Sequence, residues 1–221
     1  MKFRLVISIL SAVSVLGACG DPPMSTVTRD YLPVAVGNRW VYNEIDVAGI
    51  RDDQTDVKEI TGTADYEGML TFIMTSTPST SGTTKHFKWR VTDERVTRVR
   101  SEDWLNGTMV EYHTYRPNLQ GFLRYSTKLS SPGDSISEEH HHVACNALTN
   151  ACVDKNKPFV WTVVALDEVI TVPAGTFRCI KIRRTRAAGN FKEYWYAEGV
   201  GKVYEVGLGN YEELLEYTIV E

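Results

Sequence analysis

The chain has 221 residues, with 24 Lys and Arg against 28 Asp and Glu and a formal charge of −4 at neutral pH. So mildly acidic a balance argues against a nucleic-acid partner and against an electrostatic grip on anionic lipid. Five Trp, eleven Tyr and seven Phe are ample for one core, and the length suits one domain, since all-β domains often reach this size.

Met1-Lys2-Phe3-Arg4 carries two cations, and Leu5 to Leu16 is an uncharged, mostly apolar run of 12 residues. A membrane-spanning helix needs about 20 such residues, so the run reads as the core of a secretion signal. It ends in Leu16-Gly17-Ala18-Cys19, which resembles the lipobox read by bacterial lipoprotein-processing enzymes. The resemblance implies that residues 1–18 are removed and that the Cys19 sulfur carries a diacylglycerol. It also implies an acyl chain on the new amine of Cys19. These chains are the expected covalent anchor to the membrane, and no other cofactor is expected. Each buried methylene contributes about 0.8 kcal/mol, and two or three chains hold where one is marginal. Gly20, not Asp, follows the cysteine, which leans towards the outer membrane under the sorting rule of enteric bacteria. Removing residues 1–18 leaves 22 basic against 28 acidic residues, a charge of −6. Residues 19–30, with Pro22 and Pro23 among Ser, Thr and Asp, read as the lipidated cysteine and a short tether. Residues 31–221 read as one all-β domain.

From Arg39 onward, alternating β-branched and aromatic residues predict strands over 39–47, 69–75, 84–91, 95–100, 108–115, 159–172, 176–185, 191–197 and 211–220. Turn formers separate them, among them Asn106-Gly107, Ala174-Gly175 and Ala188-Gly189-Asn190. The hairpins pairing 85–91 with 95–100 and 176–185 with 191–197 follow from this spacing. The expected fold is therefore a curved antiparallel sheet, open barrel or sandwich. One long irregular excursion is expected over 130–157. Within it, Cys145 and Cys152 bracket six turn-rich residues and suit a disulfide in an oxidising compartment. Cys179, in an alternating strand, reads as a buried small hydrophobe.

Two segments resemble secreted bacterial β-proteins grouped as domains of unknown function. The first is Pro33 to Tyr42, with its Gly37-Asn38-Arg39-Trp40-Val41-Tyr42 ending. The second is Val172-Pro173-Ala174-Gly175-Thr176-Phe177, followed by Trp195-Tyr196-Ala197-Glu198-Gly199-Val200-Gly201. The resemblance implies a lipoprotein or periplasmic β-domain and assigns no reaction. Turn and packing roles account for these residues.

Candidate chemistry is sparse. His140 and His142 share one face of an extended chain, His141 faces away, and Glu138, Glu139 and His113 could complete a zinc set. A solvated polar loop explains the same cluster. No serine-hydrolase elbow, metalloprotease helix, phosphate loop or dinucleotide fingerprint occurs, and no catalytic residues are assigned. The run Lys181, Arg183, Arg184 and Arg186 reads as a solvated face paired across to Glu193. The function expected is a non-enzymatic envelope domain binding a hydrophobic or lipid-like ligand. The alternative is an envelope protein-interaction module using 130–157, with a metal-dependent enzyme as a weaker third.

Overall fold

A computed structural model describes residues 30–49, 53–92, 95–123, 129–139 and 141–220. Cys19 and residues 19–29 of the tether lie outside them, as does His140. The described chain is all-β, with fourteen antiparallel strands in one sheet and no helix. In chain order these are β1 (Arg39–Asp46), β2 (Gln54–Tyr66), β3 (Met69–Pro78), β4 (Thr83–Val91), β5 (Arg95–Leu105), β6 (Thr108–Leu123) and β7 (Ser135–Glu138). They continue with β8 (His141–Asn146), β9 (Cys152–Asn156), β10 (Phe159–Val172), β11 (Gly175–Arg186), β12 (Phe191–Ala197), β13 (Gly201–Gly207) and β14 (Asn210–Thr218).

Two-residue turns set the register. Glu67-Gly68, Asn106-Gly107 and Leu208-Gly209 all have positive φ at both positions, the combination whose twist matches the right-handed twist of paired strands. Both hairpins read from the sequence form, β4 with β5 and β11 with β12. β2 and β13 were not among the expected strands. The segment 130–157, expected to leave the sheet, instead supplies β7, β8 and β9 to its edges.

The order across the sheet is β7-β10-β11-β12-β13-β14-β1-β2-β3-β4-β5-β6-β8-β9. The sheet is not closed into a barrel, yet it is strongly rolled. Trp89 of β4 and Tyr194 of β12 line one trough although five strands separate them in the sheet. Glu138 of β7 pairs with Phe159 at one edge, whereas His141 of β8 pairs with Arg116 on the other side. The chain thus passes between the two limbs within three residues. The Glu138 carboxylate holds them together, accepting from Arg95 Nη1 of β5 at 2.8 Å and from Trp161 Nε1 of β10 at 3.2 Å.

The segment before β1 and the one after β14 are tied at the Gly37-Asn38 turn. Asn38 is fully buried. Its Nδ2 donates to the Pro33 carbonyl at 3.1 Å, and its Oδ1 accepts from the Val220 backbone N–H at 2.8 Å. Ile60 N–H donates to the Asn38 carbonyl at 2.8 Å. One small side chain thereby satisfies backbone groups from the segment before β1 and from the one after β14.

Cys145 and Cys152, register partners on β8 and β9, are joined by a disulfide, and Cys179 is a buried free thiol. Replacing both bridged cysteines with serine is expected to cost about 2–3 kcal/mol on the chain-entropy estimate for so short a loop. Because β9 is an edge strand, the loss should register first as faster amide exchange in β8 and β9. Unchanged exchange there would remove the bridge from the stability of this edge.

Candidate functional site

The rolled sheet encloses a half-open trough of about 1030 Å³. Its walls are not the apolar surface expected of a hydrophobic carrier. Trp40, Met74, Phe87, Trp89, Tyr194 and Tyr196 face it, but among the described residues so do seven Lys and Arg and five Asp and Glu. A chain with an acidic total thus lines its cavity with an excess of cations.

Three lysines and three carboxylates form one buried network. Lys202 Nζ, from β13, bonds Glu205 Oε2 at 2.6 Å and Glu212 Oε2 at 2.5 Å. Lys58 Nζ, from β2, reaches the same Glu212 oxygen at 2.8 Å and Asp56 Oδ2 at 3.3 Å. Lys192 on β12 caps the other Glu205 oxygen, and Ser76 Oγ donates to Asp56 at 2.9 Å. The Tyr42 ring lies under both ammoniums, 4.5 Å from Lys58 Nζ and 5.0 Å from Lys202 Nζ. Burial disfavours the charge on Glu212, but Lys202 and Lys58 outweigh it and hold the carboxyl far below the usual range. Burial likewise opposes the charge on Lys202, and Glu205 and Glu212 reverse this, raising its pKa well above the ordinary lysine value. Burial pushes the Tyr42 hydroxyl up to about 12. The network sets three lysines against three carboxyl groups.

The fourth trough lysine, Lys85, faces Asp103 at 3.5 Å. Every lysine of the trough therefore has a carboxylate, and none of its three arginines, Arg98, Arg184 and Arg186, has one among the described residues. Arg184 corrects the expectation of a solvated basic face. Lys181 and Arg183 do pair with Glu193, at 3.1 Å and 2.6 Å. Arg184 points the other way, is 7% exposed, and stacks its guanidinium within 5.0–5.5 Å of the Phe159, Trp161 and Tyr194 rings. Alternation along β11 carried the signal, since Arg183 and Arg184 must face opposite ways.

The histidines separate. His141 is exposed beside Asp154 at 3.4 Å. His142 stacks on Tyr115, and its Nε2 lies 2.8 Å from His113 Nδ1. Burial, then the charge of Lys157 and the neighbouring His113, push His142 down to about 4. Burial also lowers His113, against Glu111 and Asp103. The donor atoms of Asp103, Glu111 and His113 lie within 4.8 Å of one another. This is a different set from His140 and His142, and one of its members already faces Lys85.

Fold and lining together define an open, rolled antiparallel sheet around a charged trough. No family model and no curated protein matches the sequence. A solved structure from Bacteroides fragilis NCTC 9343, of a protein inferred to be exported and described as having a YmcC-like fold, superposes with a TM-score of 0.55. It shares 13% identity over 86% of this chain and 100% of that one. A structure from Parabacteroides distasonis ATCC 8503, of a protein inferred to be a lipoprotein, gives 0.45 at 14% identity over 86% and 99%. The first likeness establishes a shared fold.

Proposed function

We propose that the protein is a lipid-anchored, non-catalytic binding domain of the bacterial cell envelope, holding an amphiphilic ligand in its trough. The trough carries the reading. Ligand sites run to about 300–1,000 Å³ and combine apolar walls with a few fixed polar groups. A half-open cavity of about 1030 Å³ with aromatic walls and ordered charges meets that description. The anchoring rests on the N-terminal sequence ending at Cys19, and the export inferred for the Bacteroides fragilis protein agrees with it. The lining changes the expected ligand from a plain hydrophobe to a molecule with both an apolar and a charged part.

Native mass spectrometry of the full chain taken from its membrane tests both halves. The expected result is acyl mass on Cys19, absent in Cys19→Ala, and a bound amphiphile lost on denaturation. Protein without acyl mass would remove the anchor, and protein repeatedly free of ligand would remove the binding role.

A second reading, a protein-contact module, draws on β9, whose five residues are all exposed at the sheet edge. Such an edge can template a partner's strand. Crosslinking that captures no envelope protein through β9 would dismiss it.

A further inference from the structure

We infer that the trough contains an anion subsite, centred on Arg184, that takes the phosphate or carboxylate group of the bound molecule; this rests on the trough being a ligand site. Arg184 is more than nine-tenths buried, and its Nε is shielded from solvent with no hydrogen-bond partner. Arg98, on β5 across the trough, is in the same condition at Nε, with its guanidinium 4.2 Å from the Phe87 ring centre. Both line the trough.

A structural role for these rings does not close the balance. A ring face attracts the positive charge but accepts no in-plane N–H of the guanidinium, and a buried ion is costly unless it is both paired and hydrogen-bonded. Every lysine of the trough follows that rule and has its carboxylate. Arg184, buried and without a carboxylate among the described residues, breaks it, and arginine is the side chain whose flat fork matches phosphate and carboxylate. The ring faces of Phe159, Trp161 and Tyr194 hold Arg184 in place before any anion arrives, which limits the ordering cost of binding.

The surroundings point the same way. Arg186, two residues along β11, also lines the trough and has no carboxylate among the described residues. Lys157, next to β9, is lowered from the ordinary lysine value by burial and then by the charges of Arg186 and Lys155. Arg184 and Arg186 thus bring two arginines without a carboxylate among the described residues to the trough from one strand, although the chain as a whole is acidic.

The test uses the full chain in phosphatidylcholine nanodiscs, titrated with three probes: hexyl phosphate, hexyl glucoside and inorganic phosphate. Hexyl phosphate should bind and raise the Tm. Arg184→Met should weaken that binding at least tenfold and leave hexyl glucoside unaffected. Arg184→Lys should recover little, because the fork is lost. In anion-free buffer Arg184→Met should unfold at the same temperature as the parent protein or higher, since it removes an unpaired buried charge. Inorganic phosphate binding as tightly as hexyl phosphate, and depending on Arg184, would uphold the subsite and identify a free anion as its ligand. If Arg184→Met unfolds at a lower temperature in anion-free buffer, the arginine is structural and the inference is overturned. Equal binding of hexyl phosphate by both proteins, or binding of hexyl glucoside alone, would overturn the subsite and leave the trough reading standing. Failure of all three probes would remove both.

Discussion

Lys202→Met is expected to lower the unfolding free energy at pH 7 by about 3–5 kcal/mol, the range for removing one partner of a buried ion pair. Lys202 bonds two carboxylates at once, Glu205 and Glu212, and its side chain is 13% exposed. The substitution leaves Glu205 with Lys192 and Glu212 with Lys58, so three carboxylates then share two ammoniums. Adding Glu212→Gln should recover part of the loss, because it takes away the surplus charge. Urea midpoints of the parent, both single variants and the double variant measure this coupling. A loss under about 1 kcal/mol for Lys202→Met would place the network in the class of solvated surface pairs.

The same network sets the response to acid. Glu212 is held below the ordinary carboxylate range in the fold, whereas in the unfolded chain it takes up a proton near pH 4.3, an approximate model-peptide value. The stability it lends is thus complete above about pH 5 and is lost as the pH falls towards its folded value. Lys202, raised in the fold, lends stability that is complete below about pH 10 and is lost only as the pH rises beyond that. Between these limits the contributions of Glu212 and Lys202 should be insensitive to pH. The destabilisation by Lys202→Met should therefore shrink between about pH 5 and pH 3, as the carboxylates it strands become protonated. A difference that stays constant over that interval would separate Lys202 from the titration.

The sequence made the outer architecture readable and concealed the trough. Strands such as β10 and β12 announce themselves because β-branched and aromatic residues fill them, and Asn106-Gly107 marks its hairpin by turn chemistry. β2 was missed for a physical reason. Its inward face carries Asp56 and Lys58, and a register shift lies between Ile60 and Gly62. A strand whose inner face is charged and whose phase changes midway shows no apolar alternation. The strands β7, β8 and β9 are short edge elements of polar sequence, and a turn-rich segment gives little sign of where its pairing partners lie. Arg184 was hidden by its company. Four cations within six residues look like one solvated face, and only the pleat separates Arg183, paired with Glu193, from Arg184 among the rings. The pairing of Lys202 with Glu212 and Lys58 is long-range and has no local signature.

Trp40→Ala is expected to cost about 3–5 kcal/mol, the range for truncating a large aromatic residue in a core, and comparison with Trp40→Phe separates its two contributions. Trp40 is 2% exposed, and its Nε1 donates to the Val200 carbonyl at 2.6 Å. Tyr42, two residues along β1, donates its hydroxyl to the Lys202 carbonyl at 2.9 Å. β14 lies between β1 and β13 in the sheet, so these two donors reach across a whole strand and fix how tightly the sheet rolls. Gly201 permits the approach. Its φ is +106°, and a Cβ there would lie 3.2 Å from Trp40 Nε1. Phe at position 40 keeps most of the packing but leaves the Val200 carbonyl without its donor, a loss of about 1–3 kcal/mol. Urea midpoints of the two variants should therefore differ, with Phe the milder. Should Trp40→Phe match the parent protein, the hydrogen bond to Val200 contributes nothing to the roll. Should it match Trp40→Ala instead, that bond, more than the buried area of the ring, holds β1 against β13.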